Sequence, residues 1–557
     1  MALAPPHKVE RSGGWAVRGR VRPVPMSHEF AIMAAKQTEG LTMAENPRVV
    51  IVGAGHNGLV AAGYLGRAGL DVQVLERRDV VGGAAVTEEW FPGFNVSTCS
   101  YVCHILQQKV IDELELRRHG FHVYPIDPSR VHPHPNGTAL TLWHDDEQTV
   151  EEIRKISPED ADAWMDWADF WHRAVGILSD YYLRPPPSLA ELSERFRRED
   201  EEELLETLLT VPFRELIEHY FVSDQVRAAM STSTWDMGDI GAPGSAYITA
   251  LYRFSAFRED TENYGIVRGG MGGITQSLAR SAEAAGVSIR TGAEVRRVLV
   301  ERGRVTGVQL RDGEVVEADI VLSNADPKRT FLKLLDETDL DAEFLEAVKA
   351  LKTDSASAKF LCALRELPDF SAYLGDDYNP EHLAMINLCP SVENAERSWN
   401  DAKHGRVPTT PIVQVQIPTV YDPTIAPEGR HILSMWVFFV PPHIRDGSWS
   451  ELRQPFGEWL IDELTAYAPN FRDAIIDWTL LTPEDIEERI GLTDGNIRHI
   501  DLIPQQILSR RPLPGWSDYR TPVEGLFLCG AGTHPGGEVT GAPGHNAAHV
   551  VLQALGR

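Results

Sequence analysis

One stretch near the front of this 557-residue chain restricts its fold more than any other: Val49 to Gly83, VVIVGAGHNGLVAAGYLGRAGLDVQVLERRDVVGG. Val49-Val50-Ile51-Val52 is an unbroken β-branched run, the pattern of a strand buried on both faces. Gly53-Ala54-Gly55-His56-Asn57-Gly58 follows without a gap, and Leu59 to Ala68 has helical spacing. Val72 to Leu75 is a second short strand, ending on Glu76. Gly53 permits a tight turn, Gly55 lets backbone N–H groups approach a pyrophosphate, and Gly58 lets the helix pack closely on the strand. The helix N-terminus adds unsatisfied N–H groups and the positive end of its dipole. Glu76 is placed to accept hydrogen bonds from an adenosine ribose, and its charge disfavours a 2′-phosphate there. The pattern therefore predicts a site for FAD or NAD rather than NADP. His56 and Asn57 shape the phosphate loop.

Length sets a prior of about two domains with a sizeable core. The net charge of −28 repels phosphate polymers, so nucleic acid is not an expected partner. No run has the length of a membrane-spanning helix. Five cysteines, an odd count without metal-type spacing, suit a reducing cytoplasm. Residues 1–46 carry Lys8, Arg11, Arg18, Arg20, Arg22 and Lys36 without apolar periodicity. An organelle transit peptide is Arg-rich in this way, but it is also poor in acids. Glu10, Glu29, Glu39 and the scattered prolines favour a disordered extension, or a start upstream of Met43.

Further along, Ser97 to Leu116 reads as a helix, and Leu140 to Trp143 as a strand. From Ser157 to about Arg258 the pattern is helical and aromatic, broken at Pro185-Pro186-Pro187. Its acidic run from Glu199 to Glu206 reads as a solvated helix face. Val267 to Gly273 is glycine-rich but lacks a leading strand and a following acid-tipped one, so it reads as a helix-start loop before Ile274 to Ala285. Val287 to Asp326 returns to strands, with a hairpin signal at Asp312-Gly313. A second mixed insertion runs from about Phe331 to Thr482, with strand candidates at Ile412 to Val420 and His431 to Val440. The chain closes on a strand, Leu526 to Cys529, a glycine-dense loop, and a helix from Ala542 to Leu555.

Three stretches carry a resemblance: Arg77-Arg78-Asp79-Val80-Val81-Gly82-Gly83-Ala84, Ser323-Asn324-Ala325-Asp326-Pro327, and Gly530-Ala531-Gly532-Thr533-His534-Pro535-Gly536 before the last helix. Asp494 to His499 and Tyr519 to Pro522 strengthen it. Together they resemble the phytoene desaturase-like flavoproteins of the amine oxidase superfamily, over about residues 47–557. The resemblance implies an α/β fold: a discontinuous Rossmann-like FAD-binding domain, with a parallel sheet and a β-meander, plus a mixed α+β substrate domain. The FAD-binding domain would comprise residues 47–110, 265–330 and 493–557, and the substrate domain 111–264 and 331–492. It implies FAD as cofactor. Gly82, Gly83, Ala84 and Arg77 would lie against it, the backbone of Val295 would hold the adenine, and Gly530, Gly532, Glu538, Val539 and Thr540 would face the ring system. It further implies an oxidoreductase that desaturates or isomerises C–C bonds of an apolar substrate, reoxidised by dioxygen or a quinone. Such an enzyme is expected in the cytoplasm or peripheral to a membrane; an organelle address through residues 1–46 is the alternative. Amine oxidation and a flavin-binding regulator with little turnover are the other readings. Two departures stand out: Asp494, where such proteins usually have a second glycine, and Glu538-Val539-Thr540, where desaturases are more apolar.

No Ser/His/Asp order, metal cluster or carboxylate pair is evident. Cys99 and Cys103 invite a test for a redox disulfide, but their CxxxC spacing gives poor bond geometry on a helix, and packing cysteines are expected. His534 is the candidate proton donor or acceptor, with a loop-organising histidine as the alternative. His545 and Asn546 are read as helix-terminus residues.

Overall fold

The structure, a computed structural model, describes residues 47–232, 238–253 and 263–557. The expected N-terminal extension lies outside the described residues, as do the positions past Arg253 in the first helical insertion.

The opening apolar run becomes strand β1 (Arg48–Val52), with Val49, Val50 and Ile51 fully buried. Helix α1 (His56–Arg67) and strand β2 (Asp71–Leu75) follow in the register the sequence predicts. Helix α2 (Gly272–Ala284) and helix α3 (Ala542–Ala554) pack against α1. Strands β3 (Ser288–Arg290), β4 (Ile320–Ser323) and β8 (Leu526–Leu528) complete a five-stranded sheet in the order β8-β4-β1-β2-β3. Every pairing in it is parallel, which explains why β1, β4 and β8 are buried on both faces. A three-stranded antiparallel meander, Val295–Glu301, Arg304–Leu310 and Val315–Glu317, connects β3 to β4.

A second, seven-stranded sheet contains β5 (Ala358–Leu364), β6 (Val413–Gln416) and β7 (His431–Val437) at its centre. Both insertions contribute to it, since Arg130–Pro133 and Ala139–Leu142 form one end. Side chains alternate along β5: Phe360, Cys362 and Leu364 join the core under the helix Trp449–Tyr467, while Leu361 and Ala363 join the core under the helical insertion. That insertion is built on the helix Pro158–Leu178, started by Ser157, whose hydroxyl accepts from Asp160 N (3.2 Å). Trp167 and Trp171 are fully buried, edge to face at 5.3 Å. The proline run separates this helix from Leu189–Arg198. The acidic run starts the helix Glu202–Thr210, whose Leu204, Leu205 and Leu208 point into the core.

Two expectations need correction. Ser97 to Leu116 is not one helix: a strand ends at Ser97, an irregular run crosses to Gln107, and only Gln108–Glu113 is α-helical. Distant backbone satisfies the irregular run, with Cys103 N donating to Gly265 O (3.0 Å), Gly265 N to Cys103 O (2.8 Å) and Gln107 N to Thr540 O (3.1 Å). The glycines at Val267 to Gly273 do follow a short strand, Gly265–Val267; it pairs antiparallel with Val123–Pro125, and the loop then starts α2.

Candidate active site

The turn from β1 into α1 is tied down from two sides. Gly53, at φ +96°, donates its N–H to Leu75 O (2.8 Å), and Gly82 donates to Ala54 O (2.9 Å). Glu76 is buried at the tip of β2, where its carboxylate accepts from Ala54 N (2.8 Å) and Arg78 N (2.9 Å). It thus braces the glycine turn as well as facing the cleft beside it.

That cleft has an empty volume of about 980 Å³. Gly53, Gly55, His56, Asn57, Glu76 and Arg77 line it from the front of the chain, joined by Gly83, Ala84 and Val295. Asn324, Arg329, Ile497 and His499 face them. The Arg77 guanidinium is fixed by the carbonyls of Glu488 (3.0 Å) and Arg489 (2.6 Å). Four cleft residues keep buried polar atoms without a partner among the described residues: Asn57 Oδ1, Arg78 Nη1, Arg329 Nε and His499 Nδ1. A dinucleotide supplies such partners, so the residues present fit FAD.

Other expected contacts sit behind the lining. Gly58 lies beneath the turn, Gly82 holds φ +137°, and Gly530 and Gly532 back onto His499 and Pro327, while Ala531 between them reaches the cleft. Thr540 lies just before α3, its hydroxyl accepting from Ala542 N (3.0 Å) at the helix start.

A second cavity, about 570 Å³, shares His56, Ala84 and Ile497 with the cofactor cleft. Cys99, Tyr101, Val102, Trp436 and Val539 give it an apolar and aromatic wall; Ser100, His104 and Glu538 are polar. Glu538 is bound at both oxygens, by Arg498 (2.6 Å) and by a short contact to His104 Nε2. Its backbone carbonyl meets His56 Nε2 at 3.1 Å, and burial pushes His56 down to about 4, so that ring is neutral.

Lys359 is the unexpected residue. It stands on β5 directly opposite Trp436 of β7, fully buried, with its ammonium 4.5 Å from the Tyr101 ring centroid and 5.6 Å from that of Trp436. Gln416 accepts from it at 3.0 Å. Burial lowers its pKa to about 7.

His534 lines neither cavity. Its Nε2 meets the carbonyl of Tyr181 at 2.8 Å, its own carbonyl accepts from Tyr519 (2.8 Å), and burial lowers it to about 4. This is the loop-organising arrangement. Asn546 likewise ties α3 to the Tyr182 carbonyl (3.1 Å) and the Tyr519 hydroxyl (2.8 Å), with His545 Nδ1 against it at 2.8 Å. Cys99 and Cys103 are buried free thiols pushed up to about 12, not a redox pair. Sequence reasoning missed His104, Lys359, Tyr101 and Trp436. Only Lys359 carried a local signal, a lone cation in the apolar run of β5.

Among the described residues no group of His, Cys, Asp and Glu is placed to hold a metal, and no helix is long and apolar enough to cross a membrane. A strand–glycine–helix turn with an acid-tipped second strand, a terminal loop facing the same cleft, and an adjoining cavity define a flavin oxidoreductase. Residues 58–422 match the flavin-containing amine oxidoreductase family. The rat pyridine nucleotide-disulfide oxidoreductase domain-containing protein 2 is 35% identical, over 91% of this chain and 93% of its own. A limonene dehydrogenase polypeptide of Castellaniella defragrans is 30% identical, over 91% and 95%. A neurosporene-forming phytoene desaturase of Cereibacter sphaeroides is 25% identical, over 89% and 92%. Among solved structures, a putrescine oxidase triple mutant superposes with a TM-score of 0.59 at 16% identity, covering 91% of this chain and 98% of that one. The chain belongs to the flavin-containing amine oxidoreductase family; it is an enzyme, and its cofactor is FAD.

Glu76 offers a direct check. Glu76→Gln replaces one charged acceptor of two backbone N–H groups with a weaker one, and misplaces an amide donor against them. FAD retention through gel filtration is expected to fall about tenfold or more, corresponding to roughly 1.5–3 kcal/mol. Undiminished flavin content would show that the brace does not matter to binding.

Proposed function

We propose that this enzyme dehydrogenates C–C bonds of an apolar, isoprenoid- or lipid-like molecule, desaturating or isomerising it. The observation that supports this reading is the second cavity. It adjoins the cofactor cleft, and most of its wall is apolar or aromatic. An amine substrate seeks uncovered aromatic faces, but the Lys359 amine already lies against the rings of Tyr101 and Trp436. The names of the limonene dehydrogenase and phytoene desaturase relatives point to the same substrate class.

When bound, FAD supplies the two-electron acceptor, taking hydride at N5. The chain does the rest. The β1–α1 turn, Glu76 and Arg77 hold the dinucleotide, and the apolar wall excludes water and aligns the substrate. Dioxygen or a quinone is the proposed outlet for the electrons, and the cytoplasm or a membrane surface the proposed setting.

The test is anaerobic mixing of the FAD-loaded enzyme with limonene, micellar phytoene, putrescine and cyclohexylamine, following the yellow absorbance. Bleaching by a terpenoid and none by the amines is expected. Bleaching by an amine alone would overturn the reading, and none by any probe would favour a regulator.

A further inference from the structure

We propose that His104, oriented by Glu538, is the proton acceptor of the reaction, a role that rests on the C–C dehydrogenation reading above. Both residues line the 570 Å³ cavity beside the cofactor cleft. Neither lies in a stretch that carries the family resemblance to desaturases; Glu538 departs from it.

The geometry assigns the tautomer. Glu538 Oε1 accepts from the Arg498 guanidinium at 2.6 Å, and that arginine is 4% exposed, so the carboxylate is held as an anion. Glu538 Oε2 faces His104 Nε2. Two acceptors cannot face each other, so the imidazole presents Nε2–H to the carboxylate; because burial disfavours the charged ring, Nδ1 is left to carry the lone pair. No described residue bonds Nδ1, and His104 keeps 23% of its side chain accessible in a residue that lines the cavity. The backbone before it is pinned, because Cys103 exchanges both hydrogen bonds with Gly265.

The charged and titratable neighbours of the ring are Glu538, Arg498, Arg130 and Tyr264, with His56 bonded to the Glu538 carbonyl. Burial, together with the Arg130 and Arg498 cations, pushes His104 down to about 3. Such a weak base cannot draw a proton from a neutral C–H. It can take one from a carbocation, in which the C–H next to the cationic carbon is strongly acidic.

The step then balances. One C–H bond breaks with its electron pair leaving as hydride to the flavin, and the neighbouring carbon gives its proton to His104 Nδ1. The electron pair of that second C–H bond becomes the new π bond. The resulting imidazolium sits against Glu538, the arrangement in which a carboxylate stabilises a protonated histidine. Glu538 and Arg498 are positioning residues in this scheme.

Two measurements test it. Nitrogen-15 histidine NMR of the FAD-loaded protein near neutral pH needs no substrate. The His104 signal is assigned by its loss in His104→Gln or its shift in Glu538→Gln. A neutral ring protonated at Nε2 is expected; an imidazolium, or a ring protonated at Nδ1, overturns the proposal, and one folded variant of the two is enough for the assignment. The carbocation takes its hydride back unless the proton leaves, so in anaerobic single turnovers with limonene or phytoene His104→Gln is expected to slow net flavin bleaching about a hundredfold or more, with probe affinity nearly unchanged. An equal rate in the variant removes the proton-acceptor role and leaves the C–C reading intact. Failure of both probes to bleach the unmodified enzyme instead counts against that reading, and with it this step.

Discussion

Gly58→Ala is expected to yield protein that purifies without yellow colour. A Cβ at position 58 would stand 2.3 Å from the carbonyl oxygen of Gly53, and 3.1 Å from Asn324 Nδ2. The first of these contacts is with backbone, which cannot swing aside. Relief requires the β1–α1 turn to open, and that turn is fastened on both sides by Gly53 N to Leu75 O and by Gly82 N to Ala54 O. Overpacking of this kind destabilises by about 1–3 kcal/mol before the ligand is considered. FAD then meets a turn whose N–H groups no longer converge on its diphosphate, and affinity is expected to fall about a hundredfold or more. Gly55→Ala provides the contrast. There the added Cβ meets Asn324 Nδ2 at 2.8 Å, the end of a side chain that can rotate. Its melting temperature without FAD should therefore stay near that of the parent, while Gly58→Ala melts several degrees lower. Equal flavin content and equal melting in Gly58→Ala and the parent would mean that the helix does not need its close approach to the strand.

The contrast also shows what a sequence can reveal. The β1–α1–β2 unit was legible because its cause is local: a β-branched run, glycines at the points of close approach, and an acid at the strand tip, all within about thirty residues. The closing strand, loop and helix were legible for the same reason. Ser97 to Leu116 was misread as a helix because its apolar spacing is real but its hydrogen-bond partners are elsewhere. Gly265 and Thr540 satisfy that backbone, and neither is visible from within the stretch. The second cavity was illegible for a stronger form of the same reason. His104 meets Glu538 across 434 positions, and Tyr101 meets Lys359 through a fold that first has to assemble two insertions into one sheet.

Departures from family pattern were the better guide. Asp494 sits at φ +59°, in the left-handed region where glycine is favoured and aspartate is tolerated. Its carboxylate is used there, accepting from Thr353 and meeting His443 Nε2 at 2.9 Å. Glu538, the other departure, is the residue that organises His104 and Arg498. In both cases the unusual residue performs polar work that the usual glycine or apolar residue could not.

Lys359 gives the second large effect, and its sign is opposite to that of most core substitutions. An unfolded lysine titrates near 10.4, whereas burial lowers Lys359 to about 7. Between those values the unfolded chain binds a proton that the folded chain does not. Stability contributed by the neutral amine is therefore complete above about 10.4 and lost as pH falls towards 7. The gap in pKa corresponds to about 4–5 kcal/mol, and the Tyr101 and Trp436 rings return about 1–2 of this by attracting the cation. Lys359→Met keeps the length of the stem and fills the same space with an apolar, unbranched chain. Near neutral pH it is expected to be more stable than the parent by about 2–3 kcal/mol, less what Gln416 loses when its donor is removed. The melting temperature of the parent should climb from neutral pH to about 9.5, and that of Lys359→Met should stay nearly flat over the same range. Parallel curves would mean that the lysine remains charged between its two rings, with cation–π attraction and the Gln416 bond outweighing desolvation. The flat curve would mean that the fold carries a destabilising amine behind the Tyr101 and Trp436 rings that line the second cavity, where a wholly apolar core would be more stable.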